Sequence, residues 1–143
     1  MNDLLIAQRL AAAIQLAATV EGEDPIRSAY ATPPDSLGPV PALCVFAGSD
    51  AITYGAANRI TELRYTCRIY LRVPGDLGRR TATLLKWRTA LRNSVLSDWS
   101  LGGACDVAKV TETRVLDDEY AGEQYIAVEA DVAVTRAEHV SVD

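Results

Sequence analysis

Residues 60–73 alternate without a break. Leu63, Tyr65, Cys67, Ile69, Leu71 and Val73 fall on one side, and Glu62, Arg64, Thr66, Arg68, Tyr70 and Arg72 on the other. A two-residue period held over this length predicts a β-strand with one face buried. Directly after it the period changes. Leu77, Leu84, Trp87, Leu91 and Val95 recur at helical steps and predict a long amphipathic helix laid on a core. Pro74 and Gly75 break the ladder between the two, and Asp76 stands where an N-cap is needed.

The other segments extend this unit in both directions. Ile6, Leu10, Ile14 and Ala17 predict an N-terminal helix over residues 3–20, with Gly22 as its stop. An irregular passage with Pro33, Pro34, Pro39 and Pro41 follows, and a short edge strand is expected within 26–30. Residues 42–46 form an apolar strand, broken at Gly48, Ser49 and Asp50 and resumed at Ile52 and Tyr54. Segments 42–54 and 59–73 are therefore expected to pair as a hairpin with a bulge near Gly48. Fourteen extended residues span roughly 46 Å, more than the diameter of roughly 37 Å expected of a body this size. Residues 48–63 should thus project as a two-stranded arm, which is marginal in water without a partner.

Beyond the second helix, Gly102 and Gly103 mark a turn with Trp99 packed beneath it, and residues 106–116 are β-rich. Asp117, Asp118, Glu119 and Glu123 read as an acidic loop. Residues 125–135 alternate again, with Ile126, Val128, Ala130, Val132 and Val134 inward and Glu129 and Asp131 outward. Those two acids would face Arg64 and Arg68 if the strands are neighbours. Residues 137–143 read as a loose tail. The expected fold is one α+β domain over residues 1–143: a mixed, mainly antiparallel sheet with a long projecting hairpin. An N-terminal helix and a second long helix pack on one face.

The net charge of −5 conceals an asymmetry. Between Arg59 and Arg92, nine basic residues face only Glu62 and Asp76, a balance of +7; from Asp98 onward, eleven acids face three bases, a balance of −8. Part of this must cancel inside the fold, and the remainder suits pairing between copies. Cys44, Cys67 and Cys105 are odd in number and far apart, so free thiols are expected rather than a disulfide framework or a metal knuckle. No apolar run reaches about 18 residues. Asp3 sits where a signal peptide would be positive, so synthesis in the cytoplasm is expected.

Catalytic chemistry has little to work with. His139 is the single histidine and lies in the polar tail, which cannot hold a general base in place. The acidic stretch lacks the glycine-punctuated spacing of a calcium loop. The passage from Pro74 to Arg80 is not a phosphate-binding loop, and Asp76 would repel the ligand. Arg79, Arg80, Lys86, Arg88 and Arg92 form a basic helix face, but without interleaved aromatics and with a pI near 4.9. No catalytic, cofactor-binding or metal-ligating residues are expected.

The order of parts carries a resemblance. An N-terminal helix, a proline-rich passage and the strand Pro41-Ala42-Leu43-Cys44-Val45 come first, then a long hairpin and a helix. Ser100-Leu101-Gly102-Gly103 and a final hairpin through Tyr120-Ala121-Gly122 and Tyr125 follow. This resembles the tail terminator (tail completion) proteins of long-tailed bacteriophages, from about Leu4 to Thr135. The resemblance implies a non-enzymatic virion protein without cofactors, made in the host cytoplasm. It would be a subunit of a hexameric ring that ends the tail tube at its head-proximal end and meets the neck. Its partners would be further copies, the tail tube protein and a head-closure protein. Six copies would carry −30, so DNA would pass without being gripped.

The family has no contact motif to carry over, so contact residues follow from physics alone. Ile52, Tyr54 and Ile60 on the arm would lie on the adjacent subunit. Arg79, Arg80, Arg88 and Arg92 would face Asp117, Asp118, Glu119 and Glu123 across a head-to-tail interface of the kind that closes into a ring. A head-closure or connector subunit of the neck is the nearer alternative, and a small α/β nucleic-acid-binding module the more distant one. An enzyme ranks third.

Overall fold

The computed structural model describes residues 2–72 and 76–139. The break read at Pro74 and Gly75, the inward position of Val73 and residues 140–143 of the tail lie outside the described residues. In chain order the elements are α1 (Asp3–Ala17), β1 (Ser28–Tyr30), β2 (Ala42–Tyr54), β3 (Asn58–Leu71), α2 (Leu77–Ser97), β4 (Val107–Tyr120) and β5 (Glu123–His139). The strands form one sheet in the order β1-β2-β3-β5-β4. β1 runs parallel to β2, and every other pair is antiparallel, so the mixed α+β architecture is as expected.

Both helices start on side-chain caps. The Asn2 side chain accepts from the Leu5 amide at 3.0 Å, and Asp3 complements the positive end of the α1 dipole. Asp76 accepts from the amides of Gly78 and Arg79 at 2.8 and 3.4 Å, which confirms its capping position. α1 ends earlier than its pattern suggested. Backbone at Ala18 turns extended, Ala17 is exposed, and Ala18 takes the buried place instead. Gly22 does not stop the helix but sits in a separate turn with φ +81°.

The main core lies between the helices and one face of the sheet. Ile6, Leu10 and Ile14 of α1 and Leu84, Trp87, Leu91 and Val95 of α2 meet Leu43, Val45, Cys67, Ile69, Ile126, Val128 and Val132 there. Leu77 was expected in this stripe but is 72% exposed. It occupies the first position of α2, about two turns ahead of the first buried leucine. On the second face, Cys44, Tyr70 and Ala127 form a smaller cluster, with Tyr30, Leu37, Val40, Phe46, Leu116, Tyr120 and Tyr125 around it. The proline-rich passage covers part of this side: the Tyr120 hydroxyl donates to the Pro34 carbonyl. Tyr70, placed by alternation on the polar side, is fully buried as a result.

A bulge divides β2. Ala47 pairs with Tyr65 and Asp50 with Leu63, so Gly48 and Ser49 stand opposite Arg64 alone. A side chain at Gly48 would sit 3.0 Å from the Arg64 carbonyl oxygen, which explains glycine at this crossing. The extra residue also inverts the alternation. Before the bulge Leu43 and Val45 face the helices; after it Asp50, Ile52 and Tyr54 do, opposite Leu63, Thr61 and Arg59.

Candidate interaction surfaces

Every residue from 47 to 60 is exposed. Exposure of consecutive residues in a strand means that neither face is covered there, whereas Leu63, expected within the projecting stretch 48–63, is buried. The arm's construction corrects the reading of an unsupported ribbon. β5 runs alongside β3 to the end, pairing Ile60 with Ala137, Arg59 with Glu138 and Asn58 with His139. The arm therefore has three strands, and residues 137–139 belong to a sheet rather than to a loose tail. Arg59 ties the third strand down by donating to Glu138 through Nε at 3.1 Å and Nη2 at 2.6 Å.

Ile52, Tyr54 and Ile60 are all exposed, by 46%, 72% and 48%. They do not make one patch. The bulge turns Ile52 and Tyr54 to the helix side, while Ile60, opposite Thr53, points to the second side. On the outer edge of β2, β1 covers only Ala42, Leu43 and Cys44. Beyond Cys44 no strand lies along that edge among the described residues.

The second face of the body holds an ion-pair network. Glu129 is only 4% exposed, and both its carboxylate oxygens are taken, one by Arg68 and the other by Arg114. Arg68 also donates to Asp118 at 2.8 Å and to the Tyr70 hydroxyl at 2.9 Å, and Tyr70 donates to Asp118 at 3.0 Å. Arg114 reaches Asp131 through Nη1 at 3.0 Å and Nη2 at 2.7 Å, and Thr66 donates to the same carboxylate at 3.2 Å. The Arg68 guanidinium lies 5.1 Å above the Phe46 ring. The Arg114 hydrogen bonds hold the Asp131 carboxyl below the usual carboxylate range. Burial, with Arg68 opposing it, pushes the Tyr70 hydroxyl up.

This network corrects three expectations. Glu129 points away from the helices as read, yet it is buried between two arginines. Arg68 does oppose Glu129, but Asp131 opposes Thr66, and Arg64 pairs with Glu62 at 3.2 Å instead. Asp117, Asp118 and Glu119 are not a loop at all. β4 continues through them to a two-residue turn, Ala121 and Gly122, whose φ values of 52° and 86° suit a tight hairpin. Strand alternation then divides the acids. Asp117 lies 4.0 Å from Arg80 of the same chain, Asp118 is inside the network, Glu119 accepts from Gln124, and Glu123 accepts from Tyr125.

The basic residues of α2 are divided as well. Nine residues separate Arg79 from Arg88, a rotation of about 180° at 100° per residue. Arg79 and Lys86 thus sit on one flank and Arg88 and Arg92 on the other, with the exposed Leu85 and Leu96 between. They do not converge on a single site. Trp99 does not pack beneath its turn: the residue is 57% exposed, while its carbonyl accepts from the Ala108 amide at 2.6 Å.

The three cysteines are free and buried. Burial pushes the Cys44 thiol up to about 11 and the Cys67 thiol up to about 12, so neither is a nucleophile at neutral pH. Among the described residues, no group of three or more His, Cys, Asp or Glu is placed to hold a metal ion. Among the described residues, no helix is long and apolar enough to cross a membrane. Sequence reasoning misses Tyr70, Arg114 and Thr66 as members of the network and places Asp118 in a loop instead. Their signal was alternation: Arg68 and Tyr70 share a strand face with a two-residue step, and Arg114 and Asp118 sit four apart on another. No protein-family model matches the chain, and no curated protein matches it.

Proposed function

We propose that this protein is a structural subunit of a phage tail, a tail terminator whose six copies close a ring at the head-proximal end of the tail tube. Its neighbours there are the tube protein below and a head-closure protein above. The observation that carries the reading is the arm. A three-stranded extension, exposed from residue 47 to residue 60, presents Ile52 and Tyr54 on one side and Ile60 on the other. An extension with neither face covered by its own body is marginal for an isolated chain and an asset for one held among copies. The body contributes rigidity, since the Arg68–Glu129–Arg114 network ties β3, β4 and β5 into one plate from which the arm extends.

Two measurements test the proposal. Native mass spectrometry of the 15.4 kDa chain should give a species of six copies or of two such rings. Added to polymerising tail tubes, the protein should cap them and shorten their length distribution. Tubes that grow to the same lengths with and without it would rule the reading out.

A further inference from the structure

The sheet treats its free edges unequally. β1 is three residues long. β4 is long but guarded: a bulge interrupts it between Val110 and Glu112, and Glu112, Arg114, Asp117, Asp118 and Glu119 follow. Near its start, the Ala108 amide already donates to the Trp99 carbonyl. These are the devices by which natural sheets discourage a further strand. The outer edge of β2 lacks them beyond its own bulge. From Ala51 to Tyr54 it carries no charge and no proline, it pairs regularly with β3, and Ile, Thr and Tyr all favour the extended state.

We propose that this edge is a strand-addition site whose occupant is the same edge of a second copy, running antiparallel about a two-fold axis at Thr53. The side chains argue for a copy. In that register Thr53 stands opposite its own twin, and Ile52 stands opposite Tyr54 twice, once on each side of the axis. Threonine pairs and aromatic–β-branched pairs are among the stabilising cross-strand combinations. The two Asp50 residues are kept six positions apart, about 20 Å along the strands, so no like charges meet. Because a two-fold pair continues the sheet, Ile52 and Tyr54 of both copies remain on the helix side. β4 offers no comparable acceptor, because its edge is charged, bulged and partly occupied.

The pairing consumes an edge and leaves both faces of the arm available, so it is independent of ring closure. Combined with a ring of six, it would join two rings through their arms.

The test is a pair of variants read by mass. Thr53→Cys, under mild oxidation, should form a covalent dimer at least tenfold more abundantly than Thr89→Cys, an exposed control on α2; the natural thiols are buried. Thr53→Lys, which sets two like charges face to face, should halve the native mass. Twelve copies falling to six supports both this inference and the ring; a dimer falling to monomer supports the inference and counts against the ring. A hexamer indifferent to Thr53→Lys, with no excess of cross-link, overturns the pairing and leaves the ring standing. A monomeric native protein overturns the pairing, and the tube-capping measurement then decides the ring.

Discussion

On its helix side the sheet buries Leu43, Val45, Ile69, Ile126 and Val128 against Trp87 and its neighbours, whereas on its second side it buries Glu129 between two arginines. The first side needs only apolar volume, and its stability scales with area removed from water. The second needs specific partners. Glu129 is tolerable there because both its oxygens are occupied, and each arginine reaches a further carboxylate. A face of the first kind accepts conservative changes anywhere. A face of the second kind is weakened when one member is removed, because its partners lose hydrogen bonds that nothing apolar replaces.

The largest effect should come from the apolar side. Trp87 is fully buried, and Trp87→Ala should cost about 3–5 kcal/mol, read as a fall in the urea midpoint. On the other side, Glu129→Gln removes the carboxylate that Arg68 and Arg114 share while each keeps a second one, and should cost about 1.5–3 kcal/mol. The contrast sharpens in a triple variant, Glu129→Leu with Arg68→Met and Arg114→Met. If the second face depends on charge only for satisfaction, the triple variant should be more stable than Glu129→Gln alone. If it is less stable, the network contributes more than mutual compensation.

Acid should act on the second face first. The native carboxyl of Asp131 is held below its unfolded value, so its stabilisation is present above the unfolded carboxylate range near 3.9. It is lost as pH falls through the lower native value. In Asp131→Asn that part of the pH dependence below about 4 should disappear, which acid titration of the folded signal will show.

Smallest of all are the arm changes. Ile52→Thr and Tyr54→Ser lie on exposed positions and should alter monomer stability by less than about 0.5 kcal/mol, while weakening assembly by mass. A thiol assay offers a plain check on the buried cysteines: no reaction in the native protein, and all three after unfolding.

Much of the fold was legible because local chemistry and tertiary placement agree. The alternation around Ile69, the helical steps of Leu84, Trp87, Leu91 and Val95, the Asp76 cap and the Gly48 bulge all stand where the residues implied. The candidate site was less legible. The acids at 117–119 read as a loop because a charged run usually marks a solvated tip. Here β5 begins at Glu123, and only two residues are left to turn. Ile60 was grouped with Ile52 and Tyr54 because all three are apolar and near the hairpin end. The bulge puts an odd number of residues between the two faces, and parity decides which side each occupies.

By itself the sequence determined the elements, since period, caps and glycine placement are properties of neighbouring residues. It also determined that one face of the sheet would be apolar. Only the tertiary structure decided how the two hairpins join, with β5 beside β3 along its length. That choice turned residues 137–139 into a third strand of the arm and brought Arg114 to Glu129. It also left the edge of β2 open, because β1 covers only its first three residues. The reason is physical: strand order depends on contacts between residues far apart in the chain, and their free energies do not register in any local pattern.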